Sequence, residues 1–160
     1  MNTSMTDDNS VVDDSAVNYQ IRKKWGNAVG KGGLTGYLAV PEVLLRGQHR
    51  LGLTSTEMLV LINILLHWWR ADSMPFPSNR KIAKRMGVDI RTVQRACQQL
   101  EEKKLIDRRV KINHDSETNA YSSIRWIDLS KLVARLNDIA ADLGEYSRSV
   151  RSQGVDRDNS

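Results

Sequence analysis

Between Ile90 and Lys103, five side chains able to hydrogen-bond a planar edge share the outward side of an expected helix: Arg91, Thr92, Gln94, Arg95 and Gln98. An arginine fork matches guanine O6 and N7, and a glutamine amide can do the same for adenine N6 and N7. Threonine can contact a phosphate or a thymine methyl group. The intervening Val93, Ala96, Cys97 and Leu100 recur at i, i+3, i+4 and i+7, which turns a second, apolar side of that helix inward. Ser78, Asn79, Arg80, Lys81, Lys84 and Arg85 precede it, and Arg108, Arg109, Lys111, His114 and Arg125 follow, all suited to phosphate oxygens. Residues 78–112 hold eleven Lys or Arg against four Asp or Glu, a local charge of +7. Such a run is equally a solvated face, so the elements that carry it must decide. His114 alone reads more simply as an exposed loop residue.

Other chemistries are poorly provided for. The three histidines, His49, His67 and His114, fall on different elements, and Cys97 lies in the apolar stripe. Metal-ligand spacing, paired carboxylates and a nucleophile–base signature are all missing, so no enzyme, metal, cofactor or small-molecule ligand is expected. The glycine-rich Gly26–Gly33 has only a superficial look of a phosphate-binding loop. Its spacing to Gly30-Lys31 is one residue short, Gly32 stands where Ser or Thr would be needed, and no strand leads into it.

The positioning elements can be read locally. Residues 1–16 are polar, carry four Asp and no Lys or Arg, and are expected as a disordered acidic tail. Residues 17–35 form a linker with a short helix over Asn18–Trp25. Pro41 opens a short helix through Arg46. Thr54 and Glu57 form a capping-box pattern. The helix after them, roughly Ser55–Ala71, has ten apolar residues among the twelve from Met58 to Trp69, so it should be the central core helix, with Trp68 and Trp69 packed inside. Met74-Pro-Phe-Pro77 ends it. Ser78 is placed to cap a helix carrying Ile82, Ala83 and Met86; Gly87 permits a left-handed turn, and Asp89 caps Ile90–Lys103. Asp107–Ile112 and Ala120–Ile127 alternate as two strands around the polar turn Asn113–Asn119, a β-hairpin. Asp128 or Ser130 caps a last helix to about Leu143, followed by a frayed polar tail at 145–160. Its stripe of Leu132, Leu136, Ile139 and Leu143 fits the chain's own core or a dimer contact equally well.

The length of 160 residues with 40% hydrophobic content is enough for one domain with a buried core. A single cysteine excludes a disulfide scaffold, the longest apolar run is too short to span a bilayer, and no signal peptide is evident, so a soluble cytoplasmic protein is expected.

The run Phe76–Arg109 resembles a winged helix-turn-helix, as found in phage and plasmid replication proteins and small mobile-element regulators. Ile82-Ala83, Gly87-Val88, Arg91-Thr92-Val93, Arg95-Ala96, Leu100-Glu101 and Leu105-Ile106 carry the match, and Gly36–Leu45 and the Thr54-led helix extend it over roughly residues 36–130. Two positions depart from that pattern: Asp89 stands where Ser commonly caps the second helix, and Lys104 where Gly commonly ends it. The resemblance implies a mainly α fold with a small β-hairpin: a winged helix-turn-helix over 36–128 and an additional C-terminal helix over 129–144. It implies a sequence-specific double-stranded DNA-binding protein, a small dimeric transcriptional regulator of a plasmid or phage. Replication initiation or partition is the alternative, and a protein-interaction module on the same scaffold a further one.

Overall fold

The computed structural model describes residues 19–20, 23–26, 38–115 and 117–155, with side chains to residue 144. The acidic tail, most of the glycine-rich connector, Tyr37 and residues 156–160 lie outside these described residues. The chain divides into two compact units, 1–39 and 40–160. In the first, residues 19–20 and 23–25 are helical, and Lys23 and Lys24 lie over the rings of Tyr19 and Trp25.

The second unit is a winged helix-turn-helix with a C-terminal helix. Its elements are α1 (Glu42–Arg46), α2 (Ser55–Leu65), α3 (Asn79–Met86), α4 (Ile90–Glu102), β1 (Asp107–Asp115), β2 (Ala120–Asp128) and α5 (Ser130–Val155). Pro41 is the N-cap of α1, one position earlier than a first helical residue. At its other end Gly47 is buried, and a Cβ there would come within 2.8 Å of the Val43 carbonyl and 3.1 Å of Ile139. Only glycine therefore lets α1 approach α5 this closely.

Thr54 and Glu57 form the expected capping box. The helix they open stops at Leu65, six residues short of the expected Ala71. The cause is tertiary. Ile127 donates its N–H to the Pro75 carbonyl at 2.8 Å, so the chain must reverse after α2 to bring Pro75 alongside β2. Arg70 tightens the reversal through a two-pronged ion pair with Asp72. Pro75 and Pro77 lack the donors a third strand would need. The reversal also separates the two tryptophans: Trp68 packs on the core, whereas Trp69 is 73% exposed, contrary to the expected burial of both.

α3 ends in a left-handed Gly87, φ 67°, with the Val88 N–H returning to the Ala83 carbonyl. This closing bond satisfies the end of α3 and lets Asp89 start α4 two residues later. Val93, Ala96, Cys97 and Leu100 are buried, as expected, against α2 and α3. Burial pushes the Cys97 thiol pKa up. α4 ends with the same device, but here Lys104 takes the left-handed backbone at φ 56° and the Leu105 N–H bonds the Leu100 carbonyl.

β1 and β2 pair antiparallel from Asp107↔Asp128 to Asp115↔Ala120, so the strand outruns Ile112 and the polar turn shrinks. Asp115 organises that turn by accepting from the Glu117 N–H and the Thr118 hydroxyl, which hold its carboxyl below the usual range. Asp128, not Ser130, makes the polar bonds at the start of α5, accepting from the Ser130 N–H and hydroxyl. α5 runs on to Val155, well past the expected end near Leu143. Leu132, Leu136 and Ile139 are buried in the chain's own core and Leu143 packs against it. That corrects their reading as a dimer face: the core formed by α1, α2 and α4 needs α5 as its cover.

A non-glycine residue in the left-handed region costs about 1 kcal/mol. Lys104→Gly should therefore raise stability by about that amount in urea unfolding, while Lys104→Ala should leave it nearly unchanged.

Candidate nucleic-acid interface

With 100° per residue, burying the Val93–Leu100 stripe leaves the opposite side of α4 to solvent. Arg91, Arg95 and Gln98 stand outermost and exposed. Gln94 and Ile90 occupy the shoulder turned towards the hairpin, and Thr92 lies half-buried on the other shoulder. The Asp89 carboxylate accepts from the Arg91 N–H at 2.7 Å, so its charge is engaged at the helix start. At the far end, Gln98 donates to Glu102 at 3.0 Å, and Glu101 adds a second carboxylate. The carboxylates of α4 thus lie at its C-terminal end, and the surface suited to a polyanion is its N-terminal half.

A groove of about 830 Å³ separates α4 from the wing. Its walls bring together Arg80, Gln94, Arg108, Arg109 and Arg125, with Ser78 and Asn79 at the start of α3. Ser78 takes the N-cap position of α3 but makes no side-chain cap bond. Phe76 and Ile90, which sequence reasoning did not single out, also line it, and Phe76 is 74% exposed.

Three ion pairs set the geometry of this surface. Glu101 pairs with the Arg108 guanidinium and accepts the Arg108 backbone N–H at 2.9 Å, tying the wing to α4. Arg108 holds the Glu101 carboxyl below its usual range. Asp107 accepts from Lys131 at 2.8 Å, tying the wing base to α5, and lies 3.5 Å from Arg109. The third pair is deeper. Burial of Glu57 opposes its ionisation, but Lys103 at 2.5 Å and the Thr54 N–H at 2.8 Å outweigh it and lower its pKa. Lys103 also donates to the Gly52 carbonyl, so the end of α4 is anchored to the start of α2.

The expected phosphate contacts thus differ in availability. Arg80, Lys81, Lys84, Lys111 and Arg125 are exposed and have no ion-pair partner among the described residues. Arg85 donates to Asn63 at 2.8 Å and stays available only on its outer side. Arg108 is spent on structure, as above. His114 bonds Asn119 at 3.0 Å and packs at a tilt of 42° against Tyr121 with ring centroids 4.6 Å apart, a wing-tip role rather than a free loop residue. Burial, then the charges of Arg85 and Lys81, lower the His67 pKa and keep that ring neutral beside them. Among the described residues no group of three His, Cys, Asp or Glu side chains could hold a metal ion. None of the described helices is long and apolar enough to cross a membrane.

Residues 51–106 match the family model of a helix-turn-helix domain. The match spans α2 to the end of α4 and stops just before the wing. No curated protein matches the chain. Among solved structures, a possible transcriptional regulator from Methanosarcina mazei Go1 is similar, with 18% identity over 70% of this chain and 85% of that one and a TM-score of 0.37. The helix-turn-helix proper is α3, the Gly87 turn and α4, with α4 in the place of the recognition helix.

Removing Lys103 leaves Glu57 buried without its cation, a loss of about 3 kcal/mol at neutral pH for Lys103→Met. The lowered folded-state pKa of Glu57 means that its contribution is complete above the unfolded-state value and is lost as pH falls through the folded one. The variant's folded pKa is higher, so its deficit relative to wild type should shrink on acidification. Urea unfolding of both proteins at neutral and mildly acidic pH measures this; a deficit that grows with acidity contradicts the pairing.

Proposed function

We propose that this protein binds double-stranded DNA in a sequence-specific manner and regulates transcription. The observation carrying the reading is the two-sidedness of α4: its apolar stripe is buried, its N-terminal half exposes Arg91, Gln94 and Arg95, and a cationic groove adjoins it. A helix so presented suits the major groove, where its first residues meet base edges. Arg91, Thr92, Gln94 and Arg95 would read bases. Gln98, tied to Glu102, contributes little. Ser78, Asn79, Arg80, Lys81, Lys84, Arg85, Arg109, Lys111 and Arg125 would meet phosphates. A two-fold pair of copies would read a pseudo-palindrome with half-sites about one helical turn apart; its contact lies elsewhere than the buried Leu132 stripe. The plasmid or phage setting rests on the sequence resemblance alone.

Two measurements test this. With Arg108 neutralised internally, about six phosphates are met, so affinity should fall roughly 10³-fold between about 50 and 200 mM salt. Arg95→Ala should weaken binding to a selected site by about 1–3 kcal/mol and scarcely touch binding to scrambled duplex. Lys84→Ala should weaken both alike and lower the salt slope by about 1. Equal losses on both duplexes for both variants refute the roles assigned here.

A further inference from the structure

We infer that Ile90, backed by Phe76, reads the C5-methyl group of a thymine in the major groove, so that one A·T pair of the bound site is selected by apolar contact. Neither side chain is part of the core. Both stand outside it and outside the partly buried residues packed against it, and Phe76 is 74% and Ile90 37% exposed. Ile90 is the first residue of α4, directly after its Asp89 cap. Phe76 precedes Ser78, the N-cap of α3, by two residues. The starts of the two helices thus bring both side chains to the lining of one groove, together with Arg80 and Gln94.

Charge selects the ligand. Arg80, Arg108, Arg109 and Arg125 line this groove against one carboxylate, Glu101, which Arg108 already holds. An apolar protein segment seated there would cover Arg80 and Arg125 without partners, an unfavourable desolvation. A polyanion satisfies them, and the apolar group that a duplex displays on its major-groove edge is the thymine methyl. Position agrees. The first residues of a helix set into that groove meet the bases, and Ile90 holds the first position of α4. Gln94 lies four residues on, on the same side of the helix. Its amide can therefore meet the adenine N6 and N7 of the same or a neighbouring pair. An aliphatic side chain offers cytosine N4 and guanine O6 no partner, so it discriminates against both.

This inference rests on the DNA-binding reading and names a specificity-determining residue within it. The full chain is titrated with a duplex recovered by selection from random DNA, and with a series in which each thymine in turn becomes deoxyuridine. That replacement deletes the methyl group and keeps base pairing and charge. At one thymine position of the motif, wild-type affinity should fall about 4-fold, with the salt slope unchanged because no charge is removed. Ile90→Ala should bind the thymine and deoxyuridine duplexes alike at that position and keep its differences at the others. Phe76→Ala should narrow the same ratio. Each ratio compares two duplexes on one protein, so any loss of folded fraction cancels from it. The inference is overturned, and the DNA reading left intact, by a motif in which no thymine replacement weakens binding. A thymine-to-deoxyuridine ratio that Ile90→Ala leaves unchanged at every position overturns it equally. Failure of the wild-type protein to bind any duplex at low salt removes the DNA reading itself.

Discussion

Burial of four side chains on one side of α4 sets everything that this surface can do. Val93, Ala96, Cys97 and Leu100 lock into the seam with α2 and α3. A helix held along such a seam cannot turn about its axis without exposing apolar area worth several kcal/mol. The outward direction of Arg91 and Arg95 is therefore a consequence of core packing and not of any contact those arginines make. The Gly87 turn and the Lys104 turn bracket this helix, the first closing α3 and the second closing α4 with a backbone bond of the same kind.

Ion pairs then fix what surrounds α4. Glu57 and Lys103 hold its C-terminal end to the start of α2, Glu101 and Arg108 hold the wing to it, and Asp107 and Lys131 hold the wing to α5. The first is the most protected from water and carries the greatest energetic weight. The others, more exposed, serve chiefly to set direction. Their combined effect is a concave surface with α4 on one side and the hairpin on the other. Cations that the pairs consume are withdrawn from any external polyanion, so fewer than the eleven Lys and Arg of residues 78–112 are free to meet one.

Exposed apolar groups give this surface a second character. Phe76 and Ile90 in the groove and the Val110–Ile112–Tyr121 strip on the wing stand where a purely electrostatic contact would have polar residues.

Local patterns in the chain determined the element types, the capping box at Thr54 and Glu57, the left-handed turn at Gly87, the cap at Asp89 and the inward stripe of α4. Each depends on residues within one or two turns of one another, so each is legible without the fold. The left-handed turn at Lys104 was legible only through the family resemblance, in which Gly commonly holds that place. Contacts distant in sequence decided the rest. The pairing of Pro75 with Ile127 ended α2 early and left Trp69 outside. The need to cover α1, α2 and α4 drew Leu132, Leu136 and Ile139 into the core instead of a dimer seam. Partners as far apart as Glu57 and Lys103, or Asn63 and Arg85, determined which cations remain free. Spacing along a chain reports the direction a side chain takes from its own helix or strand, whereas its final partner depends on which other segment the core brings opposite.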